Sequence, residues 1–261
     1  MTVSLFFRRT LLALGAAALC MPAMAELADI KSAGKLRVGI DFGAPFYGFV
    51  DDKMKPVGSD VEAAELLAKD LGLTLEIVNT TNSAHIPNLL SNKVDLIISS
   101  LSITPERQKA VDFSIPYGAI QAAVGAPKSM KLTSIDDLAG KTVAVTRGGP
   151  QDKIVTERAP QAKVVRFDDE SASITAAATG QADIVATSVA LVNQISAKSP
   201  QKPWEPKFVI RNFDLAIGIK QGEPRLLAKL NEWVGANLKN GKLSDIYKKY
   251  YGVALPASMT N

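Results

Sequence analysis

The sequence predicts an α/β fold of two lobes joined by two extended crossovers. Three observations lead there. Short apolar, β-branched runs alternate with amphipathic helical stretches, the alternation occurs twice, and stretches with no helical period separate the two sets.

Residues 36–40, 75–78, 96–98, 143–145, 164–167 and 184–186 read as buried strands. The first helix has Asp60 near its start and Val61, Ala64, Ala68 and Leu71 along one face, with Gly72 as its stop. Strand–helix alternation of this kind builds βαβ units, largely parallel sheets covered by helices on both faces. The second set begins near Ser134, where Ser134-x-x-Asp137 has the form of a capping box. Between the sets, residues 119–127 are small and apolar without a helical period. A second extended pair, residues 208–211 and 215–219, precedes a long helix over 223–240. The two crossovers divide the chain into one lobe of residues 26–120 and 216–261 and another of residues 121–215. In such sheets ligands bind beyond the carboxyl ends of the strands, so the cleft between lobes is the expected site. Residues 199–206, with three prolines and Trp204, read as a rigid surface connection.

Residues 1–25 read as a cleaved signal peptide: Arg8 and Arg9, an apolar run over 10–21, then Ala23-Met24-Ala25 before Glu26. The expected destination is the periplasm. Cleavage removes Cys20, the only cysteine, so the remaining chain must rely on an apolar core without disulfides. Removing Arg8 and Arg9 from 30 basic residues leaves 28 against 26 acidic ones, a net charge of +2. No polybasic patch suggests nucleic acid as a partner. One histidine and no cysteine make a protein-built metal site improbable, and no motif calls for a cofactor.

The chemistry concentrates at strand-to-helix turns. Ser99, Ser100 and Ser102 follow the strand at 96–98, and Thr104-Pro105-Glu106 opens a helix with a capping hydroxyl and proline at N1. Arg107 then places a cation in the first turn, against the macrodipole, and its planar fork suits a carboxylate. The serines can instead satisfy the turn alone, and the arginine can lie on a solvated face. Thr146-Arg147-Gly148-Gly149-Pro150-Gln151 forms the corresponding turn of the second set, its glycines allowing close backbone approach. Asp41 follows the first strand and can receive an ammonium group, while Phe42, Phe46 or Tyr47 can wall a pocket or join the core. His85, at a helix start after the second strand, can touch a ligand or be a satisfied residue.

From Lys35 to Gly252 the chain resembles the bacterial extracellular solute-binding proteins of polar amino acid ABC transporters, the lysine-arginine-ornithine and histidine type included. The turn from Ser99 to Arg107, continuing into Val111-Asp112-Phe113-Ser114-Ile115-Pro116-Tyr117, carries most of the resemblance. Gly58-Ser59-Asp60-Val61, Gly180-Gln181-Ala182-Asp183 and Asn240-Gly241-Lys242-Leu243 support it. The resemblance implies the two-lobed type II periplasmic-binding-protein fold, with two hinge strands and closure over a free amino acid. It implies that a monomer passes this ligand to an ABC permease without catalysis or cofactor. It assigns the ligand carboxylate to Arg107, Ser102 and amides near Gly148 and Gly149, the amine to Ser100, and the side-chain pocket to the loop from Asp41 to Phe46. It places His85 at the far end of the ligand. Where the family commonly has an aspartate as ammonium partner, this chain has Ser188, and Gly149-Pro150 replaces a pair of threonines. The alternative on the same scaffold is an exported cyclohexadienyl or arogenate dehydratase, which needs an acid in the cleft.

Overall fold

The computed structural model describes residues 27–198 and 200–259, so the signal peptide predicted over 1–25 lies outside the described residues. Helix α1 (Leu27–Ala33) and β1 (Lys35–Ile40) come first, then a hairpin of β2 (Phe49–Val50) and β3 (Pro56–Val57). Helix α2 (Ser59–Leu71), β4 (Thr74–Asn79), α3 (His85–Leu90), β5 (Leu96–Ile97), the single-turn α4 (Pro105–Gln108) and β6 (Val111–Phe113) follow. The long β7 (Gly118–Pro127) leads to β8 (Thr142–Thr146), α5 (Pro150–Arg158), β9 (Lys163–Phe167), α6 (Glu170–Ala178), β10 (Ile184–Ser188) and α7 (Val189–Lys198). The chain returns through β11 (Trp204–Leu215) to β12 (Gly218–Lys220), α8 (Pro224–Lys239) and α9 (Lys242–Tyr251).

Two five-stranded sheets result, ordered β4-β1-β5-β12-β6 and β11-β7-β10-β8-β9. Strands that precede helices pair in parallel: β1 with β4 and β5, and β8 with β9 and β10. The returning strands are antiparallel, β12 to β5 and β6, and β7 to β10 and β11. The sheets are therefore mixed. Their strands still read as continuous apolar runs because both faces are covered. In the second sheet Val143, Val145, Ile184 and Ala186 pack with Val155 of α5. On the other face Ala144 and Val185 pack with Ile174, Leu191, Val192 and Ile195 of α6 and α7.

In the first lobe Leu36, Val38, Ile40 and Leu96 meet Val61, Ala64, Leu67 and Ala68 of α2 and Leu226, Leu230, Trp233 and Val234 of α8. That spacing on α2 is the apolar stripe that predicted it. Gly72 ends the helix in the left-handed region (φ 69°), its amide donating to the Lys69 carbonyl. The capping box at Ser134 and Asp137 forms, on a short 3-10 turn.

The two crossovers lie side by side. β7 and β11 pair from Gly118 opposite Leu215 to Pro127 opposite Trp204, with register shifts between Pro206 and Phe208 and between Val209 and Arg211. The stretch read as 208–211 and 215–219 is thus one strand to Leu215 and a separate β12. The surface connection expected over 199–206 is corrected at its end. Trp204 opens β11, is 3% exposed, and packs with Leu191, Val192 and Ile195. The prolines obscured that strand. Pro206 sits beside a register shift, where a missing N–H is tolerated.

Trp204→Ala should lower unfolding stability by about 3–5 kcal/mol in urea titration. Trp204→Phe should cost less, since the buried indole N–H has no hydrogen-bond partner. A loss of only about 0.5 kcal/mol for the alanine variant would return the segment to the surface.

Candidate functional site

The turn after β5 is held from behind. The buried Asp60 carboxylate accepts the Ser100 amide at 2.6 Å and the Tyr117 hydroxyl at 2.9 Å. Ser100 adopts φ 42°, a left-handed conformation that this anchor stabilises. Ser99 is buried, and its Oγ accepts the Asp41 amide at 2.8 Å, tying the turns after β1 and β5 together. Thr104 caps α4 by accepting the Arg107 amide at 3.2 Å, with Pro105 at N1.

Arg107 extends from α4 into the cleft. It donates to the Ser102 carbonyl at 3.1 Å, to Asn82 Oδ1 at 3.0 Å, and toward the Gly148 carbonyl of the second lobe at 3.5 Å. All three are neutral oxygens. Burial pushes its guanidinium pKa down to about 10, so the group stays charged at neutral pH.

The second-lobe turn faces it. Gly148 has φ 72°, and a methyl group there would lie 3.1 Å from the Ser83 Cα of the first lobe. Its amide donates to Asp152 Oδ2 at 3.2 Å, while the Gly149 amide donates to the Thr146 carbonyl at 3.1 Å. These two amides, assigned to the ligand carboxylate by the resemblance, bond within their own turn here. Gln151 is buried beside Gly149. Lys153 and Glu106 pair across the lobes at 3.7 Å.

The lobes also meet on the other side of the cleft. The Ser171 amide donates to the Gly43 carbonyl at 2.9 Å, and a Cβ on Gly43 would overlap that of Asp169. Beside this contact lie two desolvated carboxylates. Asp41 is 3% exposed; its Oδ1 accepts the Gly43 amide and its Oδ2 has no partner. Desolvation raises its pKa to about 6. Glu170, the first residue of α6, accepts the Thr187 hydroxyl at 2.6 Å, and desolvation raises it to about 7.

The structure therefore gathers Asp41, Ser99, Ser100, Ser102, Arg107, Gly148, Gly149 and Gln151 around one closed cleft. Four further expected residues make contacts within the protein. Ser188 caps α7, its Oγ accepting the Leu191 amide at 3.3 Å. Phe42 packs against the first-lobe core. His85 is fully buried next to the Arg107 charge, both ring nitrogens unpaired, and burial pushes its pKa down to about 3. Phe46 crosses the cleft to pack against the second-lobe core with Phe167. Asn82 and Glu170 escaped sequence reasoning. Asp168-Asp169-Glu170 after a strand reads as an ordinary helix start, and Asp169 does cap α6 by accepting the Ala172 amide at 2.7 Å.

Gly43→Ala should hold the lobes apart, because the overlap is with the first side-chain carbon of Asp169 and not a flexible end. Small-angle scattering should record a larger radius of gyration for the variant than for the wild type. An unchanged radius would mean that the loop yields without opening the cleft.

A family model for bacterial extracellular solute-binding proteins, family 3, matches residues 36–253. The ABC transporter glutamine-binding protein of Bacillus subtilis (strain 168) is 27% identical over 231 residues, covering 86% of this chain and 84% of its own. A crystal structure of a mutant of the T. maritima protein ArgBP superimposes with a TM-score of 0.81 at 34% identity, covering 87% of this chain and 99% of that one. A Neisseria gonorrhoeae solute receptor for L-cysteine gives a TM-score of 0.81 at 32% identity, covering 87% and 93%. These likenesses span both sheets and both crossovers, and the fold is the two-lobed type II periplasmic-binding-protein fold. The chain belongs to the bacterial extracellular solute-binding proteins, family 3.

Proposed function

We propose that this protein captures an amino acid, or a close derivative, between its lobes and delivers it to the permease of an ABC transporter. One observation carries the reading. A desolvated arginine in the closed cleft bonds only neutral oxygens, so its charge lacks the carboxylate that such a group requires. The α-carboxylate of an amino acid supplies it, with Ser102 beside it and Ser100 on the same turn toward the amine. Relatives named for glutamine and L-cysteine differ in side chain but share this headgroup.

The first lobe comprises residues 26–120 and 216–261, and the second residues 121–215, with β7 and β11 bending between them as the hinge. Closure adds second-lobe contacts and excludes water, which strengthens each charge-assisted bond. The protein acts as a monomer in the periplasm after loss of its signal peptide. No helix among the described residues is long and apolar enough to cross a membrane.

A thermal-shift screen of amino acids tests this. Ligand at a hundred times its dissociation constant should add about 2.7 kcal/mol of stability. Arg107→Ala should remove that shift while the ligand-free protein still folds; an undiminished shift would separate the carboxylate from Arg107.

A second reading, an exported cyclohexadienyl or arogenate dehydratase, is favoured by Glu170, a cleft acid near neutral pKa suited to proton donation. Incubation with prephenate and arogenate decides it. Binding alone predicts no product above the uncatalysed rate, and enzyme-dependent product would favour the dehydratase.

A further inference from the structure

The closed cleft has two electrical ends. At one, Arg107 meets neutral oxygens only. At the other, Asp41 of the first lobe raises the proton affinity of Glu170 of the second, and Asp169 raises that of both. Among the described residues no lysine, arginine or histidine offsets them: the opposing influences on these two carboxyls are hydrogen bonds from the Gly43 amide and from the Thr187 and Thr146 hydroxyls.

The simplest role for Glu170 is an acid in the first turn of a helix, favoured by the macrodipole. Its bonding argues otherwise. Asp169 already caps α6 through the Ala172 amide. The Glu170 carboxylate turns instead to hydroxyls at the ends of β10 and β8, the edge of the second sheet that faces the cleft. One residue further on, the Ser171 amide bonds the Gly43 carbonyl across the lobes and fixes α6 against the loop carrying Asp41. Asp41 supplies an independent sign. It is nearly inaccessible, and its Oδ2 lacks any donor, which is costly for a buried carboxylate oxygen. Two like-charged groups facing each other in a desolvated cleft are stable only when neutralised or bridged by a cation.

We infer that Glu170, together with Asp41, grips a cationic nitrogen of the ligand, and that Glu170 is the residue by which the second lobe selects ligands carrying that nitrogen. The inference rests on the amino acid-binding function proposed above. It gives closure a chemical criterion. The open protein keeps the two carboxylates apart in water; closing brings them together. A ligand with carboxylate and ammonium satisfies both ends of the cleft. One with the carboxylate alone closes the cleft over unrelieved repulsion, so differential stabilisation of the closed state rejects it.

Isothermal titration of wild type and Glu170→Gln with each of the twenty common L-amino acids and L-ornithine tests the assignment. The amide keeps the size of the side chain and removes its charge. The strongest wild-type ligand should bind the variant roughly 10- to 100-fold more weakly, the loss of one charge-assisted hydrogen bond. The same ligand's deaminated analogue should lose no affinity. The ligand-free variant should melt at or above the wild-type temperature, because repulsion has been removed. Glu170→Asp, which retains the charge at a shorter reach, should fall between the two. If Glu170→Gln binds that amino acid within about threefold of wild type, the assignment is overturned while the proposed function stands. Equal losses for the amino acid and its deaminated analogue overturn it too, by marking the effect as structural. If no compound in the series binds the wild type, the proposed function fails and takes this inference with it.

Discussion

The Asp60 carboxylate, buried at the start of α2, joins three parts of the protein that have to move as one. It accepts the Ser100 amide in the turn after β5 and the Tyr117 hydroxyl immediately before β7. Burial raises its pKa to about 7, against the pull of both hydrogen bonds. Through Ser100 it fixes a backbone conformation that a serine rarely adopts, and so the direction in which the chain enters α4 and presents Arg107. Through Tyr117 it fixes the residue immediately before β7. The turn that leads to Arg107 and the start of β7 therefore share one foundation.

Around that foundation most polar groups of the site bond within their own turns and helices. Ser99 accepts an amide, Thr104 and Ser188 cap helices, and the Gly148 and Gly149 amides bond within their turn. Arg107 lacks an anion, and the outer oxygen of Asp41 lacks a donor. His85 is a separate case. Enclosed and uncharged beside Arg107, it leaves the guanidinium as the cation at that end of the cleft.

Much of this was legible in the sequence, for identifiable reasons. The strands and α2 announce themselves because their burial is two-sided or striped, and local patterns record burial. The Thr104-Pro105 start of α4 was readable because a cap involves only neighbouring residues. Trp204 was misread because three nearby prolines dominate the local pattern, while its burial depends on α7 and on pairing with β7. Glu170 was missed for a related reason. Asp41, which raises its proton affinity, lies 129 positions earlier in the chain. Ser188, expected as a ligand contact from its place in the chain, closes β10 and accepts the Leu191 amide of the helix that follows.

The position of β12 has a consequence for how the molecule is assembled. It is the fourth of five strands in the first sheet, between β5 and β6, yet it comes from residues 218–220. Everything from β7 to β11 must be threaded out and back before that slot can be filled. The second sheet is formed from one uninterrupted stretch, residues 118–215; the first waits for the chain to return. Closing so long a loop is slow, and until it is done β5 and β6 present open edges. Residues 218–220 thus fill the last slot of the first sheet, and filling it removes the open edges of β5 and β6.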